Sequence, residues 1–266
     1  MSTEERMLDL SLMSWNILAP CWVNKDWYPS LYELAIDSKT RYNIILSKIS
    51  SMNCDIIIIQ EAQQDFICLC KEKFHDKYIY EFAPNNPTMS SISNGLLTLI
   101  NKNWKYAKEI NIINEILDNE QGEAIQIISI HSKNIHLINL HLDYIHSISQ
   151  AKQIKEKCKQ LLDSSSLISI IGGDLNATKD IYDQFQWIEY NNIFNESIED
   201  KIIPTYYPDS SQNNSNSSID HIFYDPKQVI LIDCGKAWDV QNRSAEETLK
   251  MFGSDHIYIW AKFHFI

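Results

Sequence analysis

Ile168-Ser169-Ile170-Ile171-Gly172-Gly173-Asp174-Leu175-Asn176-Ala177-Thr178 is the stretch on which the reading of the fold turns. Its apolar, β-branched opening reads as a buried strand. Two glycines end the strand, where they permit a sharp turn and the close approach of another backbone or a phosphate. Asp174 and Asn176 follow one residue apart, so strand geometry continued to Asn176 points both side chains to one side. A carboxylate and an amide then stand together at the end of a rigid element. The same letters also describe a strand that merely runs into an Asp/Asn turn.

The same design recurs on both sides of this stretch. Upstream, Leu8 to Trp15 is an apolar strand candidate ending in Asn16. Asp55-Ile56-Ile57-Ile58-Ile59-Gln60-Glu61 is a buried strand with a carboxylate at its end, which is costly unless the carboxylate meets a metal or a partner. Ile135 to Leu140 ends in His141, although a lone histidine is more often a hydrogen-bonded core residue. Downstream, Ser218 to Tyr224 reads as a strand with Asp220-His221 embedded in it. Asp255 and His256 precede a final strand, Ile257 to Phe263.

Between these pieces lie three more strand candidates, Tyr78 to Ala83, Gly95 to Ile100 and Gln126 to Ile130. Helical spacing of apolar residues marks Arg41 to Met52, capped by Thr40, and Ile148 to Leu162. Gln64 to His75 and a short piece at Ile181 to Trp187 also read as helices. Pro204 to Pro208 is expected to be a rigid aromatic turn, and 209–218, rich in Ser and Asn, a mobile loop. No repeat and no linker divides the chain, so 1–266 reads as one domain of the α/β class.

The chain has 266 residues, 44% of them apolar, enough for a sizeable core. Its net charge of −12 disfavours nonspecific grip on long duplex DNA. It leaves room for a phosphate substrate held locally by a metal ion. No run is long and apolar enough to span a membrane, and the charged start lacks the apolar centre of a signal peptide. The six cysteines form no zinc-binding spacing and read as reduced thiols, mostly core fillers, in an intracellular, cytoplasmic protein. A glycan on the Asn176-Ala177-Thr178 sequon would block the region just described, which also argues against secretion.

Polar groups at so many strand ends are hard to explain by packing. Convergent carboxylates with an amide suit a hard, oxygen-ligated cation such as magnesium or manganese. Two histidines and a further carboxylate suit proton handling and charge stabilisation. There is neither a Gly-rich phosphate loop nor a nucleophile elbow. Metal-assisted hydrolysis of a phosphate ester is the chemistry that fits.

Six fragments in order, Ser14-Trp15-Asn16, Gln60-Glu61, Asn139-Leu140-His141-Leu142, Gly173-Asp174-Leu175-Asn176, Ile219-Asp220-His221 and Ser254-Asp255-His256, resemble the endonuclease/exonuclease/phosphatase superfamily, the DNase I-like fold. The resemblance covers nearly the whole chain. It implies a four-layer αββα sandwich of two mostly antiparallel sheets with the site at one end. It implies Glu61 as principal metal ligand, with Asn16 and Asp255 close to the metal. Asp174 and Asn176 would position the attacking water or the phosphate, and His141 would donate to a phosphate oxygen. His256 would be the acid or base, oriented by Asp220. Leu175 and His221 depart from the aromatic residues more usual at their positions, and strand alternation points both away from the site.

Within the superfamily, Trp15-Asn16-Ile17-Leu18-Ala19, Tyr28-Pro29, Arg41 and 55–61 resemble the RNA-trimming deadenylases. That likeness implies a magnesium-dependent 3′ exonuclease acting on single-stranded RNA, and the chain is expected to be a monomer. The aromatic segment from Trp22 to Tyr32 would suit stacking on unpaired bases. An abasic-site endonuclease, a tyrosyl–DNA adduct hydrolase and a small nucleotide or inositol phosphate phosphatase stay open. A silent binding scaffold is disfavoured, because no motif residue is missing.

Overall fold

Ile56 to Ile59 are all fully buried because their strand is covered on both faces. Ile56 and Ile58 join a core with Leu10, Leu12, Ile128, Ile170 and Ile222. Ile57 and Ile59 join a different core with Tyr42, Ile45 and Phe66. Alternation of side chains along one apolar run thus serves two interfaces.

The computed structural model describes residues 8–85, 93–117, 123–162, 168–187, 189–194, 203–209, 215–238 and 243–266. Their strands are β1 (Leu10–Asn16), β2 (Ile56–Gln63), β3 (Tyr78–Pro84), β4 (Asn94–Asn101), β5 (Ile110–Ile116), β6 (Ala124–Ile130), β7 (Ile135–His141), β8 (Ile170–Asp174), β9 (Asn191–Asn192), β10 (Asp220–Tyr224), β11 (Val229–Lys236) and β12 (Ile259–Phe265). They form two six-stranded sheets, ordered β11-β12-β1-β2-β4-β3 and β5-β6-β7-β8-β10-β9. Only β1 with β2 and β7 with β8 pair parallel; every other neighbour is antiparallel. The helices are α1 (Tyr32–Ile36), α2 (Ser38–Met52), α3 (Gln64–Phe74), α4 (Ser147–Leu161), α5 (Lys179–Tyr182) and α6 (Ala245–Phe252). Residues of α2, α3 and α6 pack on the outer face of the first sheet, and those of α4 and α5 on that of the second. This is the expected αββα sandwich. No helix among the described residues is long and apolar enough to cross a membrane.

Several local expectations are corrected. The start of α2 is capped by Asp37, whose Oδ1 accepts the Thr40 N–H at 3.1 Å, so the helix begins before Arg41. Strands β5 and β11 and helix α6 were not expected. Both strands alternate poorly and stand half exposed at sheet edges. α6 does carry a legible signal, a Ser244/Glu247 capping box closed by Gly253. Segment 204–208 is not a turn: Tyr206 bridges Ser217 on one side and His256 on the other. Of the expected mobile loop, 210–214 lies outside the described residues. Its flanks are anchored, since buried Asp209 accepts the Ser30 and Leu31 N–H groups. All six cysteines are free; Cys54, Cys70 and Cys158 are buried, whereas Cys68 is exposed.

One carboxylate ties both ends of the described chain together. Asp9 accepts from Lys105 Nζ, from Tyr106 Oη at 3.2 Å and from the Phe265 N–H at 3.0 Å, and lies 2.6 Å from His264 Nδ1. Burial works against its charge, but Lys105, the Phe265 N–H and Tyr106 outweigh it and hold the carboxyl below its ordinary value near 3.8. A depressed carboxylate stabilises the fold above the unfolded value, and the stabilisation is lost as pH falls through the folded value. Asp9→Ala should therefore cost about 1–3 kcal/mol at pH 7. The gap to the wild type should close below pH 3.8 in urea melts. A constant gap across that range would show that Asp9 acts through packing alone.

Candidate active site

The two parallel strand pairs explain why the polar residues converge. Parallel neighbours finish at one edge: Asn16 is level with Gln60 across β1 and β2, and His141 with Asp174 across β7 and β8. Antiparallel β10 starts at that edge, with Asp220 opposite Asp174. The turn before β12 is fastened there too. Ser254 Oγ donates to the Asn16 carbonyl at 2.8 Å, and Trp15 Nε1 to the His256 carbonyl at 3.0 Å.

Asn16 Nδ2 joins the sheets by donating to Glu61 Oε1 at 2.8 Å and to Asp174 Oδ2 at 2.9 Å. Glu61 sits where β2 slips register against β4, at φ 60°, a strained backbone for a residue with a side chain. Its Oε2 accepts the Ala19 N–H at 2.7 Å. β8 stops at Asp174, so extended geometry does not continue to Asn176, which has φ 47°. A turn brings the two together instead: Asp174 Oδ1 accepts the Asn176 N–H at 2.8 Å. Asn176 Nδ2 donates to the Leu142 carbonyl at 2.7 Å and lies 3.2 Å from His141 Nε2. His141 Nε2 is 3.6 Å from Asp174 Oδ2 and 4.0 Å from Glu61 Oε1. His256 Nδ1 pairs with Asp220 Oδ2 at 2.9 Å, and its Nε2 is 3.8 Å from Asp174 Oδ2. Asp255 Oδ2 accepts from Tyr28 Oη at 2.7 Å. All eight side chains singled out in the sequence therefore stand at one end of the sandwich.

The family model described as Endonuclease/Exonuclease/phosphatase matches residues 13–256, which include every one of these side chains. The chain belongs to this family. It is thus a hydrolase acting on phosphate esters. No curated protein sequence matches it. Among solved structures it is similar to ANGEL2, a 2′,3′-cyclic phosphatase, at 13% identity and TM-score 0.74 over 96% of this chain and 95% of that one. The human Nocturnin catalytic domain with bound sulfate is 16% identical, TM-score 0.65, over 99% and 96%. D. rerio TDP2 with a single-strand DNA product is 14% identical, TM-score 0.66, over 96% and 98%. At such identities the likeness shows the shared fold.

Endonuclease/exonuclease/phosphatase enzymes are generally divalent-metal dependent, and the site fits such an ion. Asp174, Asp220, Asp255 and Glu61 converge, and Asp220 Oδ1 and Asp255 Oδ1 are buried without a hydrogen-bond partner. Orphaned carboxylate oxygens in a low-dielectric site favour a hard cation. Asp174, Asp220 and His256 place ligand atoms within 4.8 Å of one another. Asp220 Oδ2 is taken by the His256 ring, whereas its Oδ1 and Asp255 Oδ1 stay open to an ion. Asn16 turns its NH₂, not its carbonyl, toward Glu61 and Asp174.

Charge in the site is unevenly held. Burial and the neighbouring Asp220 carboxylate push Asp174 above the ordinary carboxylate range, against the pull of His256, His141 and Asn16. Burial likewise raises Asp255. For His256 burial disfavours the cation, but Asp220, Asp174 and Asp255 outweigh it and raise the imidazole. Both shifts favour the protonated form, of His256 and of Asp174 alike.

The sequence named Arg41 without a role and gave Thr205 none, yet both fasten this site from behind. Arg41 is buried on α2 and donates to the Ile17, Leu18 and Gly253 carbonyls at 3.1, 2.9 and 2.7 Å. One guanidinium thus bolts the loop after Asn16 to the turn before Asp255. Thr205 Oγ1 accepts the Ile219 and Asp220 N–H groups, each at 3.1 Å. Leu175 and His221 do turn away from the site. Leu175 packs with Leu140 and Ile171, and His221 Nε2 donates to the Ala177 carbonyl at 2.9 Å.

Proposed function

We propose that the chain is a magnesium-dependent phosphodiesterase of single-stranded nucleic acid, with RNA trimmed from its 3′ end as the favoured substrate. The supporting observation is the loop from Ala19 to Tyr28. Its two ends hold Glu61 and Asp255, while Trp22 and Trp27 between them stay 40% and 47% exposed. Indoles kept in solvent on a loop fastened to the site suit stacking on unpaired bases. The net charge of −12 suits a short or single-stranded substrate better than wrapped duplex. An intracellular setting fits the six free cysteines.

In this reading Glu61 and Asp255 would hold the metal, which would supply Lewis-acid stabilisation of phosphate charge. Asn16 fixes the Glu61 and Asp174 carboxylates at their spacing. Asp174 takes the proton from the attacking water, and Asn176 locks its other oxygen. His256, kept charged by Asp220, and His141 donate to phosphate oxygens. Attack forms the bond from the water oxygen to phosphorus and breaks the P–O bond to the leaving sugar oxygen. That oxygen departs with the proton that His256 carries; the proton taken up by Asp174 then restores His256.

Magnesium-dependent cleavage of a 5′-labelled single-stranded RNA ending in adenosines tests this. A ladder shortening from the 3′ end, absent in His256→Ala, is expected. Intact RNA beside a cleaved small phosphodiester would overturn the RNA assignment. It would favour the second reading, which the acidic charge also supports: a short phosphate ester, with 2′,3′-cyclic nucleotides, tyrosyl-linked ends and abasic DNA as the next substrates.

A further inference from the structure

Tyr28 and Tyr206 stand among the carboxylates at this end of the sandwich, while Tyr207 beside them packs into the outer core against Trp238. Tyr28 donates to Asp255, and Tyr207 to the Pro204 carbonyl at 3.2 Å. Tyr206 differs. Its ring lies 4.8 Å from the His256 ring at an interplanar angle of 40°. Among the described residues its hydroxyl has no hydrogen-bond partner, although Asp255, Asp174 and Glu61 all act on it electrostatically.

The backbone holds Tyr206 firmly. The Tyr206 N–H donates to the Ser217 carbonyl at 2.9 Å, and the Tyr207 N–H to the Asp255 carbonyl at 2.8 Å. The Ile257 N–H donates to the Thr205 carbonyl at 2.8 Å. The residue is thus zipped between the segments carrying Asp220 and His256, and its position is set by the same bonds that set theirs. A phenol, with an ordinary pKa of about 10, is neutral at pH 7 and serves as a donor. A donor among carboxylates that binds none of them lacks an acceptor the enzyme itself provides.

We infer that Tyr206 is a substrate-contacting residue whose hydroxyl donates a hydrogen bond to the scissile phosphate group, while its ring braces the His256 imidazole. The inference rests on the phosphate-ester chemistry proposed above. It divides the side chain into two separable parts: Phe keeps the brace and removes the donor, and Ala removes both.

The test compares wild type, Tyr206→Phe and Tyr206→Ala as full-length proteins with magnesium. The substrate is bis(p-nitrophenyl) phosphate, and inorganic phosphate serves as the binding probe. Tyr206→Phe should lower kcat/KM about 10- to 100-fold, the usual loss for a hydrogen bond to a charged group. It should weaken phosphate binding in the same direction and leave the melting temperature unchanged. Tyr206→Ala should lose more activity and also melt earlier. Wild-type turnover and phosphate affinity in Tyr206→Phe would overturn the inference. So would a loss of rate with undiminished phosphate affinity and a lowered melting temperature, the mark of a purely structural role. A wild type that binds phosphate but cleaves no diester would count against the phosphodiesterase reading; the phosphate affinities would still decide for or against Tyr206.

Discussion

Asp174→Asn and His256→Ala should each lower turnover by about 10²–10⁴-fold, the usual loss for a positioned acid–base or charge-stabilising group. Their effects on stability should differ in size. Asp174 is a carboxyl whose folded value is raised, so its ionised form burdens the fold at neutral pH, and the burden grows as pH rises through that value. An amide removes that charge but accepts only one of the two hydrogen bonds, from Asn16 Nδ2 and the Asn176 N–H, that the carboxylate accepts, so metal-free Asp174→Asn should lose less stability than His256→Ala. His256 is a base whose folded value is raised, so its charged form stabilises the fold at neutral pH and stops doing so above that value. Its removal also strands Asp220, which is fully buried and already has one oxygen without a partner. His256→Ala should lose about 3–5 kcal/mol, as expected when one member of a buried pair is removed. Rates and thermal melts in chelator-treated buffer check both statements. Near-wild-type turnover in either variant would remove that residue from the chemistry.

Gly173→Ala should abolish the site by way of the backbone. Gly173 has φ +146°, and a Cβ there would lie 1.9 Å from the Leu140 carbonyl oxygen and 2.9 Å from its carbon. Those atoms belong to β7, pinned to β8 by parallel pairing, and they cannot swing aside. The next level of that pairing is His141 with Asp174, so any relief of the clash separates two site residues. A loss of about 3–5 kcal/mol, or an insoluble product, is expected. Gly172→Ala is the control. Its Cβ would meet Ile58 Cδ1 at 2.8 Å, the end of a side chain that can re-pack. That variant should cost only about 1–3 kcal/mol and keep activity. Equal melting temperatures for the two variants would contradict the backbone argument.

These contrasts also show which features could be read from the chain. Ile56 to Ile59 announced a doubly covered strand, because no half-exposed strand tolerates four isoleucines in a row. Asn16, Glu61, His141 and Asp174 were legible for the converse reason: each is a polar residue closing an apolar strand. The edge strands β5 and β11 were not, because exposure on part of each face breaks the alternation that marks a strand. The capping box of α6 was present but went unused. Tyr206 and Arg41 were hardest to see. Their partners, His256 and the Gly253 carbonyl, lie far along the chain, and only the folded topology places them together. Asn176 shows a subtler failure: the pairing with Asp174 was correct, but a left-handed turn produces it rather than strand alternation.

Hydrolysis of bis(p-nitrophenyl) phosphate, with magnesium and then with chelator, by wild type and Glu61→Gln tests the assignment of this end of the sandwich most directly. Glu61→Gln can keep the acceptor for the Ala19 N–H, gives up the one for Asn16 Nδ2, and removes a negative charge from the carboxylates that would hold the metal. The predicted result is wild-type turnover that vanishes with chelator and returns with magnesium. In Glu61→Gln it should be restored only partly, and at a higher magnesium concentration. Turnover indifferent to chelator, or a Glu61→Gln protein with the wild-type rate and magnesium requirement, would contradict a metal-dependent phosphoesterase site built on Glu61.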